Sequence, residues 1–306
     1  MWSSVELREI RTFLTLAEEL HYGWTAERLG VTPSRVSQTI RALERCVGGR
    51  LFDRTSRRVR LTPLGARLRA GLLPAYEQLR DAYVDVHEMA TGVAGPLRLG
   101  MYSRANGGPM LNEIVKRFHE RHPACHVELI ETGFERDQFD WLRHDDADLL
   151  AMRLPLGQPD LVIGPVLSDE ERVVVVARDH PLAGRDHVDY EDLAPYAVPE
   201  GTLPREMMEA FAPPRTPSGR VLRRVRTHGI HEALMRVATG EVVHPTIRPF
   251  LDYYPHPDVT AVPIRDLPRS QTALVWLRSN RSQKVTAFAD VARELLLSTF
   301  PGSGLG

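Results

Sequence analysis

The sequence has few of the features that mark secreted, membrane-embedded or metal-dependent proteins. Only two cysteines occur among 306 residues, Cys46 and Cys125, and their spacing indicates neither a disulfide framework nor a zinc site. No apolar run approaches the ~20 residues of a membrane span, and the N-terminus lacks the basic-then-apolar layout of a signal peptide. These absences predict a cytoplasmic protein with no metal, no cofactor and no membrane partner, and a quiet, partly buried thiol at Cys125.

Motifs of catalysis are also missing. The sequence contains no Gly-rich phosphate loop, no nucleophile elbow, no HExxH and no carboxylates clustered at a defined spacing. HPACH at residues 122 to 126 combines two histidines with a cysteine, but it falls on a turn that leads into a strand. The sequence therefore predicts a protein that is not an enzyme.

Positive charge is concentrated in one stretch, although the whole chain is nearly neutral. The formal net charge is -1. Residues 28 to 60 carry nine arginines against two acidic residues, a local charge of +7, which leaves -8 on the rest of the chain. A basic block of this kind on a near-neutral protein is typical of a nucleic-acid-binding segment.

The span from Tyr22 to Arg41 predicts two short helices separated by a tight turn at Gly30. Thr32 is placed to cap the second helix, and Pro33 to occupy its first position. Apolar residues recur along that helix at steps of four and three and predict a buried face. The other positions suit base edges and phosphates in a major groove, and the candidate DNA contacts are Thr32, Ser34, Arg35, Ser37, Gln38 and Arg41.

Taken alone, this span also fits an ordinary helical hairpin with a solvated basic face. The chain on either side favours DNA binding, because Val5 to Glu19 predicts a first helix with an apolar stripe. Residues 51–52 and 59–61 predict short strands around a polar tip from Asp53 to Arg58. Three arginines there could contact phosphates or enter the minor groove: Arg54, Arg57 and Arg58. The whole predicts a winged helix-turn-helix over residues 4–62.

A long helix is predicted over residues 63–91, because leucine, tyrosine and alanine recur at steps of three or four. A small winged domain offers too little surface to bury that stripe, so we expect the helix to pair with its twin in a homodimer. Pro74 should kink or interrupt it. Residues 91–96 predict a hinge.

These segments resemble the N-terminal domain of LysR-type transcriptional regulators over residues 5 to 65. The matching pieces are AEELHYGWTAERLGVTPSRVSQTIRALE and GGRLFDRTSRRVRLTPLG, followed by the long helix and the hinge, with no gaps between them. Thr25 stands where the family usually has alanine, and Trp24 is bulky for its position. The resemblance implies binding to double-stranded DNA as a homodimer or homotetramer.

After residue 96 strand and helix patterns alternate, which predicts an α/β domain of parallel sheets covered by helices over residues 92–300. The predicted strands are 97–101, 127–130, 147–152, 172–177, 259–262 and 272–277. The predicted helices are 110–119, 135–143, 205–211, 230–239 and 283–297. The four consecutive valines of residues 173–176 indicate a fully buried strand.

This domain resembles, more loosely, the family's effector domain, a two-lobed fold like that of periplasmic binding proteins. The landmarks are LRLG at 97–100, FHERHP at 118–123, DHPLA at 179–183 and the HP pair at 244–245. The resemblance implies lobe I over about 96–165 and 266–300, lobe II over about 166–265, and a small-molecule effector between them. The segments NGGPM and ATGEVVHP depart from the family pattern at positions near the cleft.

Ligands of such lobes bind beyond the carboxyl ends of strands, where turns and helix N-termini present N–H groups. The turns at these positions give the effector-binding candidates, each of which is equally well explained as an ordinary cap or turn residue: Ser103, Arg104, Thr132, Gly133, Thr202, Thr227, His228, His244 and Thr246. Their hydroxyls and single arginine suit a small carboxylated or aromatic effector. Hydrogen-bonded structural roles are favoured for the two histidines.

Two functions therefore stand beside each other on the sequence alone. The favoured one is an effector-controlled, sequence-specific DNA-binding regulator. The other is a small-molecule-binding or enzymatic α/β protein whose N-terminal helices serve only oligomerisation. The missing catalytic motifs count against the second.

Overall fold

The computed structural model describes residues 5–55, 58–132, 137–200 and 204–299. The chain divides into two compact units, Met1–His87 and Glu88–Gly306. The first unit contains helices, a β-hairpin and the start of a long helix. Its elements are α1 (Leu7–Glu19), α2 (Tyr22–Leu29), α3 (Pro33–Val47), β1 (Phe52–Thr55), β2 (Arg58–Leu61) and α4 (Pro63–Thr91).

Apolar residues from the first three helices and the hairpin form the core of the N-terminal unit. Phe13 of α1 and Ile40 of α3 are fully buried, and the Phe13 ring lies 5.6 Å from that of Phe52 in β1. Gly30, between α2 and α3, has the positive φ of 63° that the sequence predicted for this turn. The two-helix prediction for Tyr22 to Arg41 is thus confirmed.

The hairpin is longer than the sequence indicated. β1 and β2 pair antiparallel with Phe52 opposite Leu61 and Thr55 opposite Arg58, so Arg54 and Arg58 lie in strands. The carboxylate of Glu44 on α3 accepts the backbone N–H of Leu51 at 2.9 Å. This hydrogen bond fixes the start of the hairpin to α3.

Helix α4 continues through Pro74, so of the kink or interruption that the sequence predicted, the interruption is absent. Proline removes one backbone hydrogen bond, but Leu72, Leu73 and Tyr76 on either side pack against the core of the N-terminal unit. The apolar stripe from Leu68 to Tyr76 is therefore covered within one chain, which the sequence reasoning did not allow for. The next part is exposed at Leu79 (55%), Tyr83 (75%) and Val86 (66%).

The second unit begins with a connection that contains two glycines, Gly92 and Gly95. Both have a positive φ, which glycine adopts readily. Its first lobe contains β3 (Gly95–Met101), α5 (Leu111–Arg121), β4 (Cys125–Glu131), α6 (Asp140–Arg143), β5 (Leu149–Arg153) and β6 (Leu161–Glu170). Two late elements return to it, β12 (Ser270–Leu277) and α10 (Gln283–Thr299). The rings of Phe118 and Phe288 meet edge to face at 5.2 Å and join α5 to α10 in its core.

The second lobe is built around β7 (Arg172–Ala177), whose residues are all buried. Its other elements are β8 (Ala197–Glu200), α7 (Arg205–Phe211), β9 (Arg223–Arg226), α8 (Ile230–Ala238), β10 (His244–Ile247), α9 (Phe250–Tyr253) and β11 (Val259–Pro263). The chain changes sheets between β6 and β7, so the lobe boundary expected at residues 165 and 166 falls within β6.

The prediction of parallel sheets is wrong for the two larger sheets of the second unit, although β8 and β9 pair in parallel. In the order β4-β3-β5-β12-β6, only the pairs formed by β3 are parallel, and β12 runs antiparallel to β5 and β6. In the second lobe β10 and β11 are both antiparallel to β7. The crossing strands impose this arrangement, because a chain that leaves one lobe and returns to it must traverse the boundary in both directions.

Several local predictions were wrong in extent or missed an element. The helix predicted over 135–143 begins only at Asp140, with residues 133–136 outside the described part of the chain. Strand β6 was missed because it contains Gly164 and Pro165, which weaken a strand pattern. Gly164 has a packing reason, since a Cβ there would lie 2.3 Å from the Trp276 ring. Strand β10 was taken for a turn because of Pro245.

Candidate DNA-binding face and ligand cavity

Helix α3 is oriented by its apolar side. Val36 and Ile40 are fully buried and Leu43 nearly so, which leaves the opposite side of the helix in solvent. The exposed residues there include most of the predicted DNA contacts: Ser34, Arg35, Gln38 and Arg41. Ser37 lies at the edge of this face and is half-buried. One side of α3 is thus a polar and basic surface of the width that a major groove admits.

The start of α3 is fixed by local chemistry. The hydroxyl of Thr32 accepts the backbone N–H of Arg35 at 3.2 Å, and Pro33 occupies the first helical turn, as predicted. Thr32 is itself exposed beside the basic face. The cap therefore positions the residues that follow it.

The arginines of the hairpin are placed only in part. In the register of the hairpin the backbone of Arg54 lies opposite Val59 and that of Arg58 lies opposite Thr55. Arg57 lies outside the described residues. Their roles as phosphate contacts stay predictions.

Arg28 of α2 and the residue that precedes this helix, His21, have roles that the sequence reasoning missed. Arg28 was counted in the basic block, but its guanidinium lies 3.1 Å from Glu18 and 3.2 Å from Glu19 and so ties α2 to α1. His21 caps α2 by accepting the N–H of Trp24 at 3.3 Å. An (i, i+10) ion pair and a histidine cap leave little signal in a sequence.

The second unit contains a cavity of ≈ 100 Å³ between its two lobes. Strand ends and turns from both lobes and one side of α7 form its wall. The lining residues are Tyr102, Ser103, Ala105, Asn106, Arg153, Pro199, Met207, Met208, Phe211, Ala212, Thr227, Gly229, Ile230, Ala233, His244, Pro245, Thr246, Ile247 and Phe250. Most of this surface is apolar, with a few hydroxyls and one guanidinium, a composition typical of small-molecule sites.

The structure brings together four of the predicted effector residues, Ser103, Thr227, His244 and Thr246. His244 and Thr246 lie in β10, not in a turn.

Three others lie outside the cavity lining, and two cannot be placed. Arg104 borders a separate groove with Glu131 and Tyr253. Thr132 is buried, and His228 is exposed beside Glu232, whose carboxylate lies 3.0 Å from its ring. Gly133 and Thr202 lie outside the described residues. The arginine expected from Arg104 is supplied instead by Arg153.

Arg153 and Arg172 are the charged groups that sequence reasoning missed. Arg153 ends β5 and Arg172 begins β7, and their side chains are buried around the ring of Phe211. Burial lowers the pKa of Arg153 to about 9 and that of Arg172 to about 10, and the two positive charges reinforce the effect at Arg153. Only tertiary contacts make these arginines unusual, so no local pattern could single them out.

His244 is held neutral by its surroundings. Burial lowers its pKa to about 4, with a further contribution from the charge of Arg172. Its ring meets that of Phe250 edge to face at 5.0 Å. The sequence favoured a hydrogen-bonded structural role for this histidine, whereas the contact shown is between two rings, at a position that also borders the cavity.

The thiols differ in exposure, since Cys125 is fully buried and Cys46 half-buried. In the described ranges, no group of three or more His, Cys, Asp or Glu side chains could hold a metal ion. No helix within the same ranges has the length and apolar character needed to cross a bilayer.

A winged helix-turn-helix unit followed by a two-lobed α/β unit with an interlobe cavity defines a class of two-domain DNA-binding, ligand-binding proteins. Residues 7–66 match the family model for bacterial regulatory helix-turn-helix proteins of the lysR family. Residues 90–297, more than half of the chain, match the model for the LysR substrate binding domain. The chain belongs to the LysR family.

Curated relatives include the HTH-type transcriptional regulator ShiR of Corynebacterium glutamicum (strain R), 35% identical over 193 residues, which is 62% of this chain and 64% of the relative. YnfL of Escherichia coli (strain K12), an uncharacterized HTH-type transcriptional regulator, is 32% identical over 191 residues, 62% of this chain and 64% of the relative. The matches thus span under two thirds of the length of these relatives. Their names describe regulators, which gives the enzymatic alternative no support.

Solved structures share the fold over nearly the whole chain. A full-length OxyR variant from Pseudomonas aeruginosa has a TM-score of 0.60 at 24% identity and covers 94% of this chain and 95% of its own. Full-length CbnR in complex with its target DNA has a TM-score of 0.58 at 18% identity and covers 95% of this chain and 99% of its own. At these identities the likeness shows a common fold.

Proposed function

We propose that this protein is a cytoplasmic, sequence-specific DNA-binding transcriptional regulator controlled by a small-molecule effector. The observation that carries the proposal is the exposed polar and basic face of α3, capped by Thr32 and held by a buried apolar face, in a unit that matches the family's helix-turn-helix. The structural neighbour CbnR was solved with its target DNA. A helix presented in this way suits the major groove.

Residues of this face divide into two roles. Arg35, Gln38 and Arg41 would read base edges or bridge to phosphates, and Ser34 and Ser37 would fix the backbone register. The hairpin arginines Arg54, Arg57 and Arg58 would add phosphate contacts. Double-stranded DNA is therefore the first partner.

The effector would occupy the cavity between the lobes, where Ser103, Thr227, His244 and Thr246 meet. A ligand in contact with both lobes favours whichever lobe arrangement fits it. In an assembly of several chains, that preference would change the spacing or angle of the DNA-binding units and thereby the affinity for the operator.

The assembly would be a homodimer or homotetramer that uses the second part of α4. Leu79, Tyr83 and Val86 are exposed along one side of that helix, and a second copy of the helix would bury them. Light scattering on the full chain measures the mass directly, and a monomer at micromolar concentration would contradict this part of the proposal.

The test of the proposal is binding of the full chain to its own upstream DNA and to a shuffled fragment of equal length. Anisotropy titrations at several salt concentrations give the affinity and its salt slope. We expect preference for the upstream fragment by at least ~10³-fold at physiological salt. Equal affinity for the two fragments would overturn the proposal.

Two arginines of the basic block provide a matched pair for the same assay. Arg41→Ala removes an exposed guanidinium on the groove face and should weaken binding and reduce the salt slope by about 1. Arg28→Ala removes one that is ion-paired with Glu18 and Glu19 and should leave the slope unchanged.

Arg35→Ala or Gln38→Ala should relax sequence discrimination, whereas Arg57→Ala should weaken binding to all sequences.

A further inference from the structure

Two guanidinium groups are buried at one wall of the cavity with an aromatic ring between them. The Cζ atom of Arg153 lies 4.7 Å from the centroid of the Phe211 ring, and that of Arg172 lies 4.2 Å from it. The exposed fractions are 5% for Arg153 and 3% for Arg172. Two positive charges are thus enclosed within a small volume.

The hydrogen bonds of these arginines involve neutral groups. Arg172 donates to the carbonyl oxygens of Thr246 at 3.0 Å and Phe211 at 2.6 Å. Arg153 donates to the hydroxyl of Ser270 at 2.7 Å. Among the described residues no carboxylate forms an ion pair with Arg153, although Glu170 attracts it from farther away. Among the described residues, Ser270 is the hydrogen-bond acceptor found for the Arg153 guanidinium.

A buried cation without a counter-ion is costly, because it has lost its hydration and gained no opposite charge. The lowered pKa of Arg153, about 9 as a result of burial and of the nearby Arg172, reflects this cost. The group nevertheless remains protonated at neutral pH. The cavity wall thus carries a positive charge that an anionic ligand can neutralise.

A second arginine in the same sheet shows how a structural arginine is satisfied. Arg98 lies on β3, the strand next to β5, and its guanidinium donates to both carboxylate oxygens of Asp148 at 3.0 and 3.2 Å. Asp148 also accepts the backbone N–H of Arg98 at 2.7 Å. Arg98 thus has a carboxylate partner within the protein, whereas Arg153 has none among the described residues. This difference indicates that Arg153 does not serve the same structural role as Arg98.

The rest of the cavity surface specifies the body of the ligand. Apolar side chains make up much of the remaining lining, among them Met207, Met208, Ile230, Ala233 and Phe250. Ser103 and Thr246 add hydroxyls near the strand ends. A ligand with one negative charge and a compact hydrocarbon body would match both the charged group and the apolar lining. A phosphate or a sugar would leave the apolar lining without a partner.

We propose that the cavity binds a small monocarboxylate whose carboxylate is the counter-ion of Arg153 and whose hydrocarbon body lies against Met207 and Phe250. The inference rests on the proposed function, since it names the chemical class of the effector for the same cavity. Arg153 comes from the first lobe, and Thr246 and Phe250 from the second. Such a ligand would join the lobes through one ion pair and one apolar contact.

Thermal shifts of the full chain test the charge requirement with matched probes. Benzoate and 4-methylpentanoate are compared with their neutral amides, benzamide and 4-methylpentanamide, and with inorganic phosphate. We expect at least one acid to raise the melting temperature of the second unit by roughly 5 to 10 °C at ~100 times its Kd, and neither amide nor phosphate to match it. Equal shifts from acid and amide, no shift from either acid, or an equal shift from phosphate would each overturn the proposal.

Arg153→Met and Arg98→Met separate a ligand-binding role from a structural one. Arg153→Met should weaken binding of the acid at least ~30-fold and leave the ligand-free melting temperature unchanged or higher, because it removes an unneutralised buried charge. Arg98→Met should lower the melting temperature and retain the acid shift. If Arg153→Met does not fold, Arg153→Gln is measured in the same way. Retention of the acid shift without the Arg153 charge would overturn the proposal.

DNA binding distinguishes this inference from the proposed function. If the wild-type protein prefers its upstream DNA but no acid raises its melting temperature, the proposed function stands and the monocarboxylate proposal is wrong. If the cavity binds the acid through Arg153 but the protein shows no DNA preference, the proposed ligand class stands and the proposed regulatory function is wrong. The two failures therefore give different results.

Discussion

The two units use arginine in opposite ways. On α3, Arg35 and Arg41 are exposed on the surface of a helix whose other side is buried, and the alternation of the two sides is visible in the sequence. In the second unit, Arg153 and Arg172 are buried at the ends of separate strands, and only folding brings them to the same aromatic ring. A surface for a polyanion can thus be inferred from local periodicity, whereas an enclosed site for a small anion depends on distant contacts.

The largest expected effect tests whether the two units are energetically separate. Phe13 pairs with Phe52 in the first unit at 5.6 Å, and Phe288 pairs with Phe118 in the second at 5.2 Å. Both Phe13 and Phe288 are fully buried, so Phe13→Ala or Phe288→Ala should destabilise its own unit by about 3–5 kcal/mol. Calorimetry with two resolved transitions should show one transition shifted by each variant.

Function should divide in the same way. Phe13→Ala should lower the fraction of protein that binds DNA, and Phe288→Ala should lower the fraction that binds a cavity ligand. If each variant shifts both transitions equally, the two units unfold together and the comparison between them fails.

An intermediate effect is expected at two glycines of the first unit. A Cβ on Gly65 in α4 would lie 2.1 Å from the carbonyl oxygen of Leu51, so Gly65→Ala must displace the backbone next to the hairpin. Gly30 has open space around it but a φ of +63°, so Gly30→Ala costs only backbone strain of about 1–2 kcal/mol. We expect Gly65→Ala to destabilise the first unit more, by up to ~3 kcal/mol.

Urea unfolding followed by circular dichroism measures the difference. Gly71 on the same helix has no atom within 4 Å of an added Cβ and no positive φ, so Gly71→Ala is the control and should be neutral or stabilising. A larger loss from Gly30→Ala than from Gly65→Ala would contradict the close approach of α4 to Leu51.

The features of this fold that could be predicted from the sequence are those determined by residues close together in the chain. Thr32, Pro33 and Gly30 fix the ends of α2 and α3 by their own chemistry, and the four valines of β7 require burial on both sides. The antiparallel course of β12 and the pairing of β10 with β7 depend on where the chain crosses between lobes. That crossing leaves no periodic pattern.

The same division applies to the site. Ser103, Thr227, His244 and Thr246 were found because turns and landmarks near strand ends mark them, and all four line the cavity. Arg153 was missed, and Arg104 was chosen in its place. The two arginines follow parallel strands β5 and β3, and only the three-dimensional arrangement shows which of them borders the cavity.

The smallest effect concerns pH and is confined to the second unit. The pKa of His244 is lowered to about 4 in the folded protein, mainly by burial and then by Arg172, against an ordinary value of 6.5. The unfolded chain therefore binds a proton that the folded chain does not between about pH 4 and 6.5. The contribution of His244 to stability is complete above pH 6.5 and is lost as the pH falls, by roughly 2 kcal/mol at pH 5.

Urea unfolding of the second unit at pH 7.5 and at pH 5 measures this loss, and His244→Gln removes the group that titrates. The difference in unfolding free energy between the two pH values should be smaller in the variant than in the wild type. An identical pH dependence in wild type and His244→Gln would mean that His244 is not kept neutral by the fold.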